Sequence, residues 1–104
     1  MNLEIASDRL FDMPKKQSSF NEAVGKRLER LRLALGFKTI RGFAEALGVD
    51  EARYRSWEKG LNGLPPEIAA DLDIKFGATL SWLYRGQTHE LRVGLFEKLK
   101  KAAV

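Results

Sequence analysis

The sequence TIRGFAEALGVDEARYRSWEKG, residues 39–60, holds two short helical patterns on either side of Gly48. The apolar residues with helical spacing are Ile40, Phe43, Ala44 and Leu47 before this glycine, and Val49, Tyr54 and Trp57 after it. Gly48 suits a left-handed backbone conformation that ends the first helix, and the Asp50 side chain is well placed to accept the backbone N–H groups that open the second. These residues predict two short helices joined by a tight turn.

The order of residues in this stretch resembles the helix-turn-helix motif of the phage-repressor/Cro-like (XRE-type) DNA-binding domains. The shared pattern is Phe43-Ala44, three residues, Gly48-Val49, four residues, Tyr54, two residues, and Trp57-Glu58-Lys59-Gly60. The resemblance extends from about Val24 to Gly86. It implies an all-α fold, a five-helix lambda-repressor-like DNA-binding domain, whose recognition helix, about residues 50–59, enters the major groove of DNA.

The 104 residues are expected to form one domain with a tail at each end. We expect an N-terminal arm over residues 1–18, the DNA-binding domain over residues 19–87 with its motif at 39–60, and an additional C-terminal amphipathic helix within residues 88–104. The arm carries too many apolar residues for a freely solvated tail, so we expect it to dock on its own domain or on a second subunit. The residues concerned are Leu3, Ile5, Leu10, Phe11 and Met13. The alternative is a helical peptide that is ordered only by its surroundings.

Helix-capping signals predict the boundaries of the remaining helices. Ser19 and Glu22 have the spacing of a capping box. They predict that the first helix starts at Ser19 and runs toward Gly36. The fourth helix should run from Pro66 or Glu67 to Gly77, and the fifth from Thr79 to Tyr84, with Leu80, Trp82 and Leu83 turned into the core. The last helix, from about Thr88 to Ala102, has a seam of Leu91, Leu95 and Leu99. This seam either completes the monomer core or pairs with another subunit.

Composition favours a cytoplasmic protein that is not an enzyme. The chain has no cysteine, and no apolar run approaches the roughly 20 residues of a membrane span. Its N-terminus has acidic and polar residues where a signal peptide needs an apolar segment. Its one histidine, His89, has no nucleophile or carboxylate cluster at useful spacing, and no metal-ligand set or cofactor motif is present in the sequence. The net charge of +4 is compatible with a polyanionic partner, although many solvated surfaces are equally basic.

Outward-facing residues of the recognition helix have the chemistry for reading base edges. Arginine can bind guanine, glutamate can accept from cytosine, alanine can touch a thymine methyl group, and serine can donate or accept. The candidate base-reading residues are Glu51, Ala52, Arg53, Arg55 and Ser56. The candidate phosphate-binding residues are Arg27, Thr39, Arg41, Lys59 and Asn62. The resemblance further implies a structural ion pair between Arg32 and Glu58.

Some positions depart from the family pattern. Ile40 occupies the place where the family usually carries a polar, phosphate-binding residue, and Asp50 and Glu51 bring two acids near the DNA. The resemblance implies a sequence-specific transcriptional regulator, repressor-like and of bacterial or phage type, that binds double-stranded DNA as a homodimer. The departures keep a second hypothesis open. It is an antitoxin-like or adaptor module on the same fold, with a protein partner such as a toxin and with weak or lost DNA binding.

Overall fold

The computed structural model describes the backbone of residues 13–102 and the side chains from residue 19 onward, and its regular structure in that range is entirely helical. The helices are α1 (Met13–Ala34), α2 (Ile40–Leu47), α3 (Glu51–Glu58), α4 (Pro66–Phe76), α5 (Leu80–Arg85) and α6 (Val93–Ala102). The predicted all-α class is therefore confirmed for the described part of the chain. None of these six helices is both long enough and apolar enough to span a membrane.

Helix α1 begins earlier than the sequence predicted. It starts at Met13, so Ser19 lies inside the helix and the predicted capping box with Glu22 is wrong. Pro14 is compatible with this longer helix because the backbone N–H that proline lacks has no intrahelical partner in the first turn. Residues 13–18 of the predicted arm thus belong to α1. The rest of the arm, residues 1–12, and the last two residues lie outside the described part of the structure.

The turn between α2 and α3 has the predicted capping geometry. The Thr39 hydroxyl oxygen accepts the Gly42 N–H at 3.0 Å and opens α2, while Gly48 ends it with a φ angle of +74°. The Asp50 carboxylate then accepts the Arg53 N–H at 3.1 Å and opens α3. All three predictions are confirmed. These local contacts end α2 and begin α3 on either side of the tight turn between them.

The core lies between packed helices. Helix α1 packs against α3, α5 and α6, α2 packs against α3, and α4 packs against α5. Its largest fully buried side chains are Tyr54, Phe43, Leu28, Leu31, Leu72, Leu83 and Val24. Helices α4 and α5 match their predicted ranges, with Gly77 in the left-handed conformation and Thr79 as the N-cap of α5. Leu80 is a correction, because its side chain is 44% exposed. Only Trp82 and Leu83 of the predicted trio in α5 reach the core.

Helix α6 completes the monomer core and begins later than predicted. The Leu91 N–H donates to the Thr88 carbonyl oxygen in a turn, and the helix starts at Val93 rather than near Thr88. Leu91, Leu95 and Leu99 are all buried, and α6 packs along α1 of the same chain. The structure therefore shows the packing alternative for this seam, whose apolar side chains are covered within the monomer.

Candidate nucleic-acid interface

Helix α3 is held in place by two buried aromatic side chains. Tyr54 is fully buried and Trp57 is 3% exposed. The Tyr54 ring meets Phe43 of α2 edge to face, with ring centroids 5.4 Å apart, and its centroid lies 6.1 Å from that of Trp57. Such pairs add specific geometry to the burial of large apolar surfaces. The inward face of α3 is thus fixed against α2 by aromatic packing.

The Glu58 carboxylate accepts three hydrogen bonds, of which two join α3 to α1 and one comes from within α3. Arg32 donates from Nε and Nη2 at 3.0 and 3.1 Å, and the Tyr54 hydroxyl donates at 2.6 Å. Arg32 also donates to the Phe37 carbonyl oxygen at 3.1 Å, which ties down the connection between α1 and α2. The structure therefore contains the ion pair that the resemblance implied. Both charged side chains are 7% exposed, so this fork-shaped pairing is buried.

This environment shifts the pKa values of two members of the network. Burial, reinforced by the hydrogen bond to Glu58, raises the pKa of the Tyr54 hydroxyl far above its ordinary value. The hydrogen bond from Arg32 to Glu58 raises the pKa of the Arg32 guanidinium, against an opposing effect of burial. Tyr54 therefore stays protonated and acts as a donor, while Arg32 stays charged.

Two glycines allow α1 and the end of α3 to touch at the backbone, and sequence reasoning missed both roles. A Cβ atom on Gly25 of α1 would lie 2.3 Å from the Glu58 carbonyl oxygen. A Cβ atom on Gly60 would lie 2.8 Å from the Glu22 Cα, and Gly60 also has a φ angle of +75°. A glycine in the interior of a helical pattern such as that around Gly25 is the available sequence signal for close backbone approach.

The outward face of α3 carries the five predicted base-reading residues. Ala52, Arg53 and Arg55 are exposed, whereas Glu51 and Ser56 are half-buried. The Arg53 guanidinium lies 5.3 Å from the centroid of the Trp57 ring, and the Ser56 hydroxyl donates to the Arg53 carbonyl oxygen at 2.7 Å. Arg53 is thus laid along α3 by a cation–π contact. The side chains are accessible on a helix whose opposite face is buried.

The two acids near the start of α3 have partners within the helix. The Asp50 carboxylate caps the N-terminus, where negative charge is favourable. Glu51 forms an ion pair with Arg55 one turn further on, with side chains 42% and 44% exposed. Arg55 is therefore held beside a carboxylate in this structure. A ligand of α3 must compete with Glu51 for Arg55 or contact both groups at once.

Four of the five predicted phosphate-binding residues are exposed close to α2 and α3. Thr39 and Arg41 lie at the start of α2, and Lys59 and Asn62 follow the end of α3. Arg41 has an ion pair with Glu45 at 3.6 Å, and their side chains are 76% and 72% exposed. A pair this exposed contributes little stability and is easily given up.

Arg27 lies elsewhere and is used inside the fold. Its Nη1 atom donates to the Leu83 carbonyl oxygen of α5 at 3.0 Å, and burial lowers its pKa. Its guanidinium also lies against Gly86, where a Cβ atom would stand 2.9 Å from Nη2. Arg30 donates in the same way to Leu99 of α6 at 3.2 Å. Arg27 therefore has a structural role that the sequence did not predict, and its predicted contact with a DNA phosphate stays a prediction.

Ile40 is also part of the structural framework. It is half-buried against the core cluster, directly after the Thr39 cap. The position that carries a polar phosphate ligand in the family pattern therefore supports packing here. Thr39 and Arg41 are the predicted phosphate-binding residues that remain exposed at the start of α2.

Comparisons with models of known protein families, with curated proteins and with solved structures found no match. Within residues 13–102, no group of three or more histidine, aspartate or glutamate side chains is arranged to hold a metal ion.

Proposed function

We propose that this chain is a sequence-specific DNA-binding transcriptional regulator, repressor-like in action, on a lambda-repressor-like fold. The proposal rests on the difference between the two faces of α3, one of which is anchored to the fold while the other is exposed. Tyr54, Trp57 and Glu58 anchor the helix, while Ala52 and Arg55 remain exposed. A rigid helix with accessible hydrogen-bonding side chains is the structural requirement for direct readout of base edges in the major groove.

Base reading is assigned to the outward face of α3. Arg55 would donate to the O6 and N7 atoms of a guanine, and Glu51 would accept from the amino group of a cytosine. Their mutual ion pair already aligns the two side chains. A DNA site with the guanine but not the cytosine would leave Glu51 without a base partner. A site with the cytosine but not the guanine would leave Arg55 without one. The pair therefore supports discrimination between sequences more than raw affinity.

Phosphate binding is assigned to both ends of the motif. Thr39 accepts the Gly42 N–H and still has a hydroxyl proton to donate to a phosphate oxygen. Arg41 stands beside it, and Lys59 and Asn62 are exposed after α3. These contacts would flank α3 and fix its register on the duplex without reading sequence.

A homodimer is part of the proposal, because two copies would present two α3 helices to half-sites about one DNA turn apart. The seam of α6 is covered by α1, so the dimer contact must use another surface. Sedimentation of the protein with and without its DNA would give the number of copies bound.

The test begins with selection of bound duplexes from a random DNA library. The selected site and a scrambled duplex are then titrated across roughly 50 to 200 mM salt. Arg55→Ala is expected to weaken binding to the selected site at least tenfold more than binding to scrambled DNA, which loses only the electrostatic attraction of one charge. Lys59→Gln should weaken both and reduce the salt slope by about one.

Lys98→Gln on α6 is the matched control, because it removes one positive charge from an exposed residue outside the motif. It should leave both titrations nearly unchanged. Equal losses for Arg55→Ala on selected and scrambled DNA would remove its base-reading role. Failure to enrich any duplex at low salt would overturn the proposal.

A second candidate function is an antitoxin-like or adaptor module that binds a protein. The observation that favours it is Leu61, which is 74% exposed immediately after the motif, next to the exposed Asn62. An apolar side chain in this position suits a protein surface better than a phosphate backbone. Recovery of a stoichiometric protein partner, a loss of that partner with Leu61→Ser, and absence of DNA retardation at low salt would support this function instead.

A further inference from the structure

A cavity of about 210 Å³ lies on the side of α1 where α5 ends and α6 packs. Three cationic side chains line it, from Arg27 and Arg30 of α1 and Lys100 of α6. Trp82, Phe96 and Thr88 supply aromatic walls and a hydroxyl group. No carboxylate side chain is among the described residues that line this cavity. It is therefore a positively charged, partly aromatic site away from the outward face of α3.

The two arginines have a structural role that accounts for only part of their hydrogen-bonding capacity. Each donates one N–H to a carbonyl oxygen in the last turn of a helix, Arg27 to Leu83 and Arg30 to Leu99. A guanidinium group has five N–H donors. The Nε atom of Arg30 is buried, and within the described residues it has no hydrogen-bond acceptor. Each capping bond uses only one of these five donors, and both guanidinium-bearing side chains line the cavity.

Lys100 adds a third positive charge at the cavity. The Lys100 ammonium lies 5.3 Å from the centroid of the Phe96 ring, so the aromatic side chain holds a third positive charge beside the two guanidinium groups. Three cations gathered around one cavity repel one another, and an anion bound among them would relieve that repulsion. Arg27 and Arg30 are half-buried and Lys100 is exposed, so the cavity is open to a ligand from solvent.

We propose that this cavity binds a small organic anion, with a carboxylate or phosphate group among Arg27, Arg30 and Lys100 and an apolar part against Trp82 and Phe96. The volume lies below the roughly 300 to 1,000 Å³ of pockets for drug-sized ligands, so the ligand is of metabolite size. The inference concerns a different surface from α3 and does not rest on DNA binding.

The first experiment follows the indole N–H resonances of the two tryptophans by NMR, in protein without DNA. Benzoate, phenyl phosphate and inorganic phosphate are the probes, and neutral benzamide is the control. Trp82 lines the cavity and Trp57 lies in the motif, so an anion should shift the Trp82 signal saturably and leave Trp57 unchanged. Saturation by benzoate alone would identify a carboxylate site, and saturation by the phosphates alone a phosphate site. Equal shifts with benzamide, or no saturable shift with any probe, would overturn the proposal.

Substitution of Lys100 separates a specific site from general attraction to a basic surface. Lys100→Gln should weaken binding of the effective probe about tenfold, as expected for loss of a charge-assisted contact. Lys101→Gln is the matched control, because it removes the same charge from the next residue, which does not line this cavity. Equal weakening by both substitutions would contradict a defined site.

Arg30→Gln should abolish saturation, and its circular dichroism and melting temperature would show whether the protein remains folded. Retained tight binding in a folded Arg30→Gln protein would also contradict the proposal. DNA retardation is measured separately. Neither binding nor absence of binding to DNA would change the interpretation of the anion-binding experiments.

Discussion

Gly25 and Glu58 touch at the backbone, since a Cβ atom on Gly25 would lie 2.3 Å from the Glu58 carbonyl oxygen and 2.8 Å from the Trp57 carbonyl oxygen. Gly25→Ala must therefore push α1 away from the end of α3. We expect the free energy of unfolding to fall by about 3 kcal/mol or more, the upper end of overpacking effects. Urea unfolding followed by tryptophan fluorescence measures this change.

Gly94→Ala is the matched control for that substitution. Gly94 also lies within a helix, but a Cβ atom there would meet nothing within 4 Å. This variant should be stabilised by roughly 0.5 to 1 kcal/mol through helix propensity. Equal stability of the two variants would show that the close approach of α1 to α3 is not maintained in solution.

Removal of the Glu58 charge should destabilise the protein strongly. Glu58→Gln leaves the Arg32 guanidinium buried beside a neutral group, and breaking a buried pair from one side costs about 3 to 5 kcal/mol. The double variant Arg32→Met with Glu58→Gln should recover part of this loss, because no unpaired charge remains. Chemical unfolding of the single and double variants provides the test. A loss below about 1 kcal/mol for Glu58→Gln would mean that water reaches the pair.

The buried Tyr54 hydroxyl predicts a loss of stability at alkaline pH. Its pKa is raised in the folded protein, so the unfolded chain releases the tyrosine proton first. The stabilising contribution is complete below about pH 10, the ordinary tyrosine pKa, and declines as the pH rises above it. The free energy of unfolding should therefore fall more steeply between about pH 9 and pH 11 in the wild type than in Tyr54→Phe. Parallel curves would contradict burial of this hydroxyl.

Glu51 should control the specificity of DNA binding if α3 reads bases as proposed. Glu51→Gln frees Arg55 and removes a negative charge, so binding to scrambled DNA should tighten several-fold while the preference for the selected site decreases. Glu45→Gln is the control, since it frees Arg41 by the same chemistry at the start of the motif. That variant should tighten binding to both duplexes and leave their ratio unchanged. Filter binding at one salt concentration compares all three proteins.

Local signals in the sequence predicted much of the helical framework. Thr39, Gly48 and Asp50 act within a few residues of their own position, and the structure places each of them as its chemistry requires. Gly77 and Thr79 delimit α4 and α5 for the same reason. Capping partners are neighbours along the chain, so these boundaries were readable from one sequence, whereas the capping box predicted at Ser19 was overridden by a helix that begins at Met13.

Long-range relationships were the part that could not be predicted. Arg27 faces away from the apolar stripe of α1, and only the docking of α5 decides that it bonds to Leu83, 56 positions along the chain, instead of facing solvent. The glycine at position 25 indicates a close backbone approach, but neither hydrophobic periodicity nor charge identifies Glu58 as the residue it contacts. Leu80 has the right spacing for a core residue, but α5 is short and turns it outward. Such outcomes depend on tertiary packing and not on local propensity.

The division of α3 between an anchored and an open side has an evolutionary consequence. Tyr54, Trp57 and Glu58 make the contacts that define its orientation. Within the described residues, Ala52 and Arg55 form no side-chain hydrogen bond or ion pair with another helix. Replacement of the open side therefore costs little folding energy, as expected for exposed positions. The scaffold is free to acquire new recognition surfaces by a few substitutions, while descendants keep the same helices and the same core.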